Sequence, residues 1–343
     1  MRRMNSVLFS YLPLNRDPVQ VTWMKKLELE GRVDFVHFES NIHKRAGIFK
    51  TIGFLLSLIR MHRGVWYACD PYSGFWVGLI AKLKGIDFHY ISFELYSEFQ
   101  PWNRRSKFMR KELELREKLM FRWCHSAYLS NKERAEWYMK KFRIQEGKIL
   151  VFENIPTYPD DSKAALNPKL ADWLENHKVC VYQGSIGSRP IHLFGTVAVF
   201  LKRHGYEFLV VSKKTEQIER LVSGHSNMRH VDYMSPSELN ELLSRCDLGF
   251  ACYHSRDKNN EYCAPVKVFD YLRHGLPFII TRHASLAYLK QEFPEMIFEF
   301  DLESMEELES ALVDSIKTPN AIKFKIAKLS PISFLDVICM NGG

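Results

Sequence analysis

Short apolar runs alternate with helix-periodic stretches along almost the whole chain. Twelve runs have the length and the β-branched and aromatic content of strands, at 6–12, 33–39, 65–70, 87–93, 126–130, 149–154, 179–184, 207–212, 228–234, 248–253, 277–281 and 296–301. Helical periodicity lies between them, at 18–30, 44–62, 73–84, 104–122, 190–204, 215–222, 236–245 and 266–272. This alternation predicts βα units and mainly parallel sheets covered by helices on both faces.

One segment interrupts the alternation. Residues 155–169, IPTYPDDSKAALNPK, contain three prolines and no periodicity, which is typical of a linker. We therefore predict two α/β domains, at 1–158 and 171–343, joined by a linker at 159–170. In such sheets ligands bind beyond the carboxyl ends of the strands, so the expected site is a cleft between the domains.

The composition is that of a soluble globular protein. Of the 343 residues, 46% are apolar and 26% are charged, which suits two domains of ordinary size. The longest uncharged apolar stretch, 51–59, is too short for a bilayer span, which takes about 20 residues. The start MRRMNSVLFSYLPLNRD is predicted to be a first strand rather than a signal peptide. The seven cysteines form no CxxC pair, so we expect buried thiols and a cytoplasmic protein.

Positive charge is concentrated in the first half of the chain. Residues 1–155 hold 27 Lys and Arg against 16 Asp and Glu, a net charge of +11, whereas the remainder has a net charge of −3. Two basic stretches, 43–64 and 103–123, have the composition of helices that dock on an anionic membrane surface. The alternative for 43–64 is an ordinary buried helix, and the alternative for 103–123 is a solvated helix face. No helix-turn-helix, zinc-finger or RNA-binding pattern accompanies the charge, so nucleic acid is not an expected partner.

The candidate chemistry centres on EYCAPVKVFDYLRHGLPFII at 261–280. A predicted helix begins after Pro265 and carries Lys267 and Asp270 in its first turns, and an apolar strand follows a Gly-Leu-Pro break. The first N–H groups of a helix have no partner within it and favour an anion, to which a lysine adds a full positive charge. In VYQGSIGSRPI, at 181–191, Gly184 ends a predicted strand where backbone can approach a ligand closely. The alternative for Lys267 and Asp270 is a solvated ion pair on a helix surface.

In order and spacing, several segments resemble the family 4 glycosyltransferases. They are HYISFELYSEF (89–99), HSAYLSNKERAEWYMKKFRIQEGKILVFENIP (125–156), VYQGSIGSRPI (181–191), MSPSELNELLSRCDLGFACY (234–253) and APVKVFDYLRHGLPFII (264–280), and the match covers about residues 85–315. The resemblance implies the GT-B fold, in which two Rossmann-like domains with parallel sheets face a central cleft. It also implies a nucleotide-sugar donor bound by the C-terminal domain.

The resemblance assigns roles to residues of the donor site. Asp270 stands where the family has a glutamate that accepts hydrogen bonds from the ribose hydroxyls. Lys267 and Arg189 stand at the positions of cations that neutralise the diphosphate. The other implied donor-binding positions are Gly184, Ser185, Ala264, Pro265 and Val266.

Besides Asp270, four positions depart from the family pattern. Ser185 replaces a second basic residue after the glycine. Glu261, the candidate for contact with the transferred sugar, is one residue away from the usual spacing to Asp270. Ser92 and Phe93 stand at the positions of the Asp and His that commonly precede Glu94, which leaves Glu94 as the candidate for contact with a sugar. The alternative for Glu261 is a surface residue in a polar loop. The alternative for Glu94 is a residue that caps a helix or pairs with a neighbouring arginine. The candidates for the chemistry itself are Arg189, Lys267, Glu94 and Glu261.

The resemblance implies a glycosyltransferase that moves a sugar from a nucleotide-sugar to a glycan. The expected acceptor is a lipid-linked glycan of a surface polysaccharide, reached from the cytoplasmic face of the membrane. The resemblance further implies a retaining reaction, no cofactor beyond the nucleotide-sugar co-substrate and no essential metal; the PDDS at 159–162 lies in the predicted linker. A catalytically silent nucleotide-sugar-binding or scaffold protein and a sugar-nucleotide epimerase remain alternatives.

Overall fold

The computed structural model describes residues 4–10, 24, 27–28, 31–37, 45–61, 64–98, 107–152, 155, 166–186, 190–254 and 258–318. Within these ranges the chain forms two compact units. The first unit contains the described residues up to 152 together with 258–264, and the second contains those from 155 to 254 together with 265–318.

The first unit contains a six-stranded sheet whose neighbouring strands are parallel. Its strands are β1 (Met4–Ser10), β2 (Gly31–His37), β3 (Val65–Ala68), β4 (Phe88–Ser92), β5 (Ser126–Leu129) and β6 (Ile149–Val151), in the spatial order β2-β1-β3-β4-β5-β6. Its main helices are α1 (Arg45–Arg60), α2 (Pro71–Lys84), α3 (Lys107–Trp123) and α4 (Lys132–Phe142).

Both faces of this sheet are buried. Successive strand residues point to opposite faces, and one face carries Phe9, Trp66, Ala68, Phe88, Tyr90, Ala127 and Leu129 against side chains of α1 to α4. The other face carries Leu8, Tyr67, Cys69, Ile91 and Tyr128. Strands buried on both faces are continuous apolar runs in the sequence, which is why the runs predicted them.

The second unit also contains a parallel six-stranded sheet. Its strands are β7 (Lys178–Gln183), β8 (Tyr206–Val211), β9 (Met228–Val231), β10 (Leu248–Ala251), β11 (Phe278–Thr281) and β12 (Ile297–Phe300), in the order β12-β11-β10-β7-β8-β9. Its helices are α5 (Pro168–Glu175), α6 (Ile191–Arg203), α7 (Glu216–Ser223), α8 (Pro236–Leu243), α10 (Val266–Arg273), α11 (Ala287–Glu292) and α12 (Met305–Lys317). The short helix α9 (Lys258–Glu261) comes between α8 and α10 in the chain but belongs to the first unit.

The predicted α/β class with two mainly parallel sheets is confirmed. Every predicted strand is present, with ends that differ by up to three residues. The helices α4, α5, α9, α11 and α12 are additional to those predicted, and α5 begins inside the predicted linker, where the Asn167 side chain accepts a hydrogen bond from the Lys169 N–H. Residues 159–165 of that linker and most of the predicted helix at 18–30 lie outside the described residues.

The cysteines of the described chain form no disulfide, and all of them except Cys263 are buried. Burial raises the pKa of the Cys124 thiol to about 12, so this cysteine is a packing residue rather than a nucleophile. None of the helices in the described residues is long and apolar enough to cross a membrane.

Candidate functional site

The strand order of the second unit reverses between β7 and β10. Their ladder pairs Cys180 with Leu248 and Val181 with Gly249. At the end of this ladder the Tyr271 hydroxyl of α10 lies 3.2 Å from the Val181 carbonyl oxygen and 3.0 Å from that of Phe250. In doubly wound sheets a ligand binds outside the carboxyl ends of the strands at this reversal, so the residues around these two strand ends form the candidate site.

Helix α10 is held against the sheet by the ring of Tyr271. A Cβ atom added at Gly249 would lie 2.7 Å from this ring, so only glycine leaves room for it. The helix ends where Gly275 adopts a φ of 63°, and the N–H groups of Gly275 and Leu276 donate to carbonyl groups one turn earlier. This left-handed termination explains the glycine of the Gly-Leu-Pro break and directs the chain into β11.

Lys267 is buried, and its ammonium group lies at the carboxyl ends of β7 and β10. Its Nζ atom is 4.1 Å from the ring centroid of Tyr182, in β7, and 5.5 Å from that of Tyr253, just after β10. Such cation–π contacts stabilise an ammonium group that has left bulk water. A Cβ atom on Gly184 would lie 3.3 Å from this Nζ atom, and Gly184 has a φ of 112°, so glycine suits this position on both counts.

The loop after β7 is anchored on both sides of Gly184. The Gly184 N–H donates to the Val211 carbonyl at 2.9 Å, which extends the ladder between β7 and β8. The Tyr182 hydroxyl donates to the Ser185 carbonyl at 2.7 Å. Tyr182 therefore holds this loop with its hydroxyl and contacts Lys267 with its ring. The predicted residue Arg189 lies outside the described residues, as do residues 187 and 188.

Asp270 is buried with 3% of its surface exposed, and Gln183 is its neighbour at the end of β7. The Gln183 Nε2 group donates to Asp270 Oδ2 at 2.7 Å. Gln183 is itself only 5% exposed, and its Oε1 atom is buried without a hydrogen-bond partner in the described chain. The sequence reasoning missed Gln183; the available signal was a polar residue that closes an apolar strand directly before a glycine.

Of the other predicted donor-binding residues, Val266 is the first residue of α10 and Pro265 precedes it, whereas Ala264 is the last residue of the segment that belongs to the first unit. Pro265 is buried, and its carbonyl accepts from the Val268 N–H at 3.0 Å. As far as the structure describes the chain, no side chain caps this helix start. Its first N–H groups therefore point along the helix axis with the partial positive charge that favours an anion.

The two predicted glutamates belong to the first unit. Glu94 follows β4, and its Oε2 atom accepts from the Arg134 guanidinium at 2.9 Å, with 39% of the Glu94 side chain exposed. Arg134 is almost fully buried and also donates to the Phe93 carbonyl. The structure thus shows the arginine pairing considered as an alternative for Glu94.

Glu261 lies at the end of α9, where its Oε2 atom is 2.6 Å from Lys258 Nζ. The segment that contains α9 is fastened within the first unit by Arg134, which donates to the Tyr262 carbonyl at 2.7 Å and to the Asn259 side-chain oxygen at 3.1 Å. Asn131 donates to the same Tyr262 carbonyl at 2.9 Å. Glu261 is therefore a partly exposed residue in an ion pair on an anchored turn.

No family model matches the chain, and no curated protein matches its sequence. Solved structures match over nearly its full length. Sucrose-phosphate synthase from Thermosynechococcus elongatus has 13% identity and a TM-score of 0.68, over 98% of this chain and 97% of that one. HepE from Anabaena, in complex with UDP and glucose, has 12% identity and a TM-score of 0.66, with the same shares. A putative UDP-N-acetylglucosamine 2-epimerase from Listeria monocytogenes has 12% identity and a TM-score of 0.58, over 99% of this chain and 94% of that one.

At these identities the likeness concerns the fold alone. Together with the two parallel six-stranded sheets, it confirms the predicted architecture of two Rossmann-like domains of the GT-B type. No group of three or more His, Cys, Asp or Glu side chains in the described chain is arranged to hold a metal ion.

Proposed function

We propose that the protein is a glycosyltransferase that binds a nucleotide-sugar donor in its second unit. The observation that carries the proposal is the grouping of Lys267, Gly184 and Asp270 at the carboxyl ends of β7 and β10. A site for a nucleotide-sugar needs a cation that binds the diphosphate, a glycine that lets the backbone approach the ligand, and an acceptor for the ribose hydroxyls. Lys267, Gly184 and Asp270 are residues of these three kinds. The solved complexes of HepE with UDP and with UDP-glucose support a uridine nucleotide as the first donor to test.

The proposed reaction relies on positive charge around the leaving diphosphate. Negative charge grows on the diphosphate as the glycosidic bond breaks, so groups fixed near it stabilise the transition state more than the ground state. Lys267 and the N-terminal N–H groups of α10 would supply this charge, and Arg189 would be a further cation. Asp270 would accept hydrogen bonds from the ribose hydroxyls.

We also propose that the enzyme is a family 4 member that retains anomeric configuration and needs no metal. In such a reaction the acceptor attacks on the face from which the diphosphate leaves, and the departing phosphate takes the acceptor proton, so no side-chain base is required. An inverting reaction would need a base near the acceptor. Glu94 is the candidate base, while Glu261 stays a candidate for contact with the donor sugar.

The proposed acceptor is a lipid-linked glycan of a surface polysaccharide, reached by a cytoplasmic protein docked on an anionic membrane. The support is the net charge of +11 in residues 1–155 and the exposed apolar side chains on α1, namely Ile52, Leu56 and Ile59. Basic and apolar residues on one helical layer suit a membrane surface.

A sugar-nucleotide epimerase is the second candidate, because the fold also matches the Listeria protein described as a putative epimerase. Such an enzyme would use the same nucleotide site but would release a sugar isomer without an acceptor. A catalytically silent protein would bind the nucleotide and turn nothing over.

The first prediction tests the leaving-group charges. Binding calorimetry with UDP, GDP and their common sugars identifies the donor, and a transfer assay with that donor follows. Lys267→Met and Arg189→Gln should each lower turnover more than donor affinity, because the diphosphate charge grows in the transition state. Lys213→Met removes an exposed cation from the same unit and should change neither quantity.

Each alternative has its own outcome in this experiment. Wild-type turnover in both variants at saturating donor would refute the leaving-group role. Tight donor binding without any turnover, even with native acceptor extract, would favour the silent protein. Release of a free sugar isomer in the absence of acceptor would favour the epimerase.

A further inference from the structure

The amide of Gln183 links the end of β7 to the carboxylate of α10. Gln183 is the last residue of β7 and pairs in the ladder with Val211 of β8, so its backbone position is fixed by the sheet. Asp270 lies one residue before Tyr271, whose ring and hydroxyl fix α10 against β7 and β10. The 2.7 Å hydrogen bond between Gln183 Nε2 and Asp270 Oδ2 therefore joins two rigid elements, although 87 residues separate the partners in sequence.

Gln183 is costly as a purely structural residue. Its Oε1 atom is buried and lacks a hydrogen-bond partner in the described part of the chain. An unsatisfied buried acceptor loses the hydrogen bonds that water would give it, and such an atom in a folded protein calls for an explanation. An apolar side chain would avoid that penalty but would take the amide donor away from the buried Asp270 carboxylate, so the glutamine serves the carboxylate rather than the packing.

A neutral amide has a specific advantage as the partner of Asp270. It donates one hydrogen bond and so fixes the rotamer of the carboxylate, but it does not neutralise the negative charge. A carboxylate has about four acceptor positions, so further donors can still be bound. Lys267 lies three residues earlier on the same helix, so a neutral amide fixes the carboxylate without adding a second cation next to this helix.

We propose that Gln183 is a positioning residue of the nucleotide site, which fixes the Asp270 carboxylate to receive the ribose hydroxyls of a nucleoside diphosphate. The inference rests on the proposed function, because it needs Asp270 to bind ribose. Its ligand class is a ribonucleoside diphosphate, whose two vicinal hydroxyls donate to one carboxylate.

The test measures UDP and GDP affinity of the full chain against pH. Gln183→Met removes the donor and should weaken binding roughly tenfold or more at every pH. Gln183→Glu places a second carboxyl group beside Asp270, and two carboxyl groups so close share one proton, because like charges raise the pKa of one of them. The shared proton then acts as the missing donor below that raised pKa and is lost above it.

For Gln183→Glu we therefore expect near-wild-type affinity at about pH 5.5 and a loss of roughly tenfold or more at about pH 8.5. Each affinity is divided by the wild-type value at the same pH, because UDP itself titrates in this range. Gln217→Glu introduces the same charge at an exposed position of α7 and should give a flat ratio. The pH-dependent ratio is a readout that a packing role would not produce.

The outcomes separate this inference from the proposed function. A wild-type protein that binds neither UDP nor GDP would overturn the proposed function and this inference with it. If the wild type binds UDP or GDP and both Gln183 variants have the wild-type affinity at every pH, only the role of Gln183 is overturned. If Gln183→Met does not fold, the pH ratio of Gln183→Glu decides alone, and a flat ratio refutes the proposal.

Discussion

Two carboxylates of this protein, Asp270 and Glu94, differ in the groups that hold them. Asp270 accepts a hydrogen bond from the neutral amide of Gln183, whereas Glu94 accepts from the guanidinium of Arg134. An amide leaves the carboxylate its negative charge, while a buried guanidinium balances that charge directly. Under the proposed function Asp270 accepts the ligand hydroxyls, whereas the ion pair of Glu94 with the buried Arg134 suits Glu94 better to fixing the chain after β4 than to acting as a base.

The second prediction concerns Asp270. Asp270→Ala should weaken binding of the donor nucleotide by roughly 1.5–3 kcal/mol, the usual contribution of hydrogen bonds to a charged group. It also leaves Gln183 Nε2 without its carboxylate, which should lower the free energy of unfolding by about 1–3 kcal/mol, short of the ~5–15 kcal/mol that holds a domain folded. Calorimetry measures the first quantity and urea denaturation the second.

Asp314→Ala provides the matched control, because Asp314 lies partly exposed on α12 in the same unit. It should leave both quantities nearly unchanged. Full donor affinity of the folded Asp270→Ala variant would remove Asp270 from the ribose site, whatever its stability.

Part of the candidate site could be predicted from local sequence. Lys267 and Asp270 lie one turn apart in a helix that the local pattern predicted, and Gly184 ends a predicted strand. Their assignment to a donor site came from the resemblance of these segments to the family 4 glycosyltransferases. Tyr182, Gln183 and Tyr253 were missed because their importance comes from contacts with Lys267 and Asp270 on a distant segment. In the sequence these residues are only the polar or aromatic ends of apolar strands.

Whole helices and strands also differ in how far local sequence predicts them. Strands buried on both faces were predictable as apolar runs, whereas the helix α4, KERAEWYMKKF, was missed: its buried apolar residues Ala135, Tyr138 and Phe142 have helical spacing but are few among charged neighbours. The position of α9 could not be predicted either. Its place in the first unit depends on hydrogen bonds from Arg134 to the Asn259 and Tyr262 carbonyls, 125 and 128 residues away in sequence. Such contacts follow from the fold and not from local pattern.

The third prediction concerns the end of α10. Gly275 has a φ of 63°, which an alanine adopts only with strain, so Gly275→Ala should lower the free energy of unfolding by roughly 1–2 kcal/mol. Gly224→Ala is the matched control: Gly224 follows α7 with a φ of −81°, and an added Cβ would make only ordinary contacts at 3.5 Å. The control should be neutral or stabilising by up to about 1 kcal/mol. Urea denaturation measures both, and equal effects of the two substitutions would contradict the role of the left-handed termination.

Over the whole molecule, charge and exposed apolar surface coincide in the first unit. The excess of positive charge lies in residues 1–155. On α1 the exposed residues Ile52, Leu56 and Ile59 are spaced by four and three positions, so they form one stripe. Phe108 and Leu115 are exposed on α3, a helix that also carries several exposed cations. An apolar stripe beside cations suits the boundary between head groups and acyl chains of an anionic membrane.

The last prediction follows from this coincidence. The protein should co-sediment with vesicles that contain anionic lipid and not with neutral vesicles. Each cation near the surface contributes about 1 kcal/mol, and salt screens it beyond about 8–10 Å, so binding should fall steeply as salt is added. Replacement of Arg104, Arg105, Lys107 and Arg110 by glutamine should abolish most of the binding and leave donor affinity unchanged. Of these, Lys107 and Arg110 lie in the first turn of α3, and 104 and 105 lie outside the described residues.

The matched control replaces four exposed cations of the second unit, Lys202, Arg203, Lys213 and Lys214, by glutamine. This variant loses the same formal charge and should sediment like the wild type. The comparison shows whether vesicle binding depends on the cations of α3 or only on the net charge of the protein. If the α3 variant also sediments like the wild type, residues 103–123 are a solvated helix. Binding that resists salt would instead implicate the apolar stripe of α1, and Ile59→Asp should then abolish it. A wild-type protein that binds no vesicle would make a soluble glycan the better acceptor, because nothing would then hold the enzyme at a lipid surface.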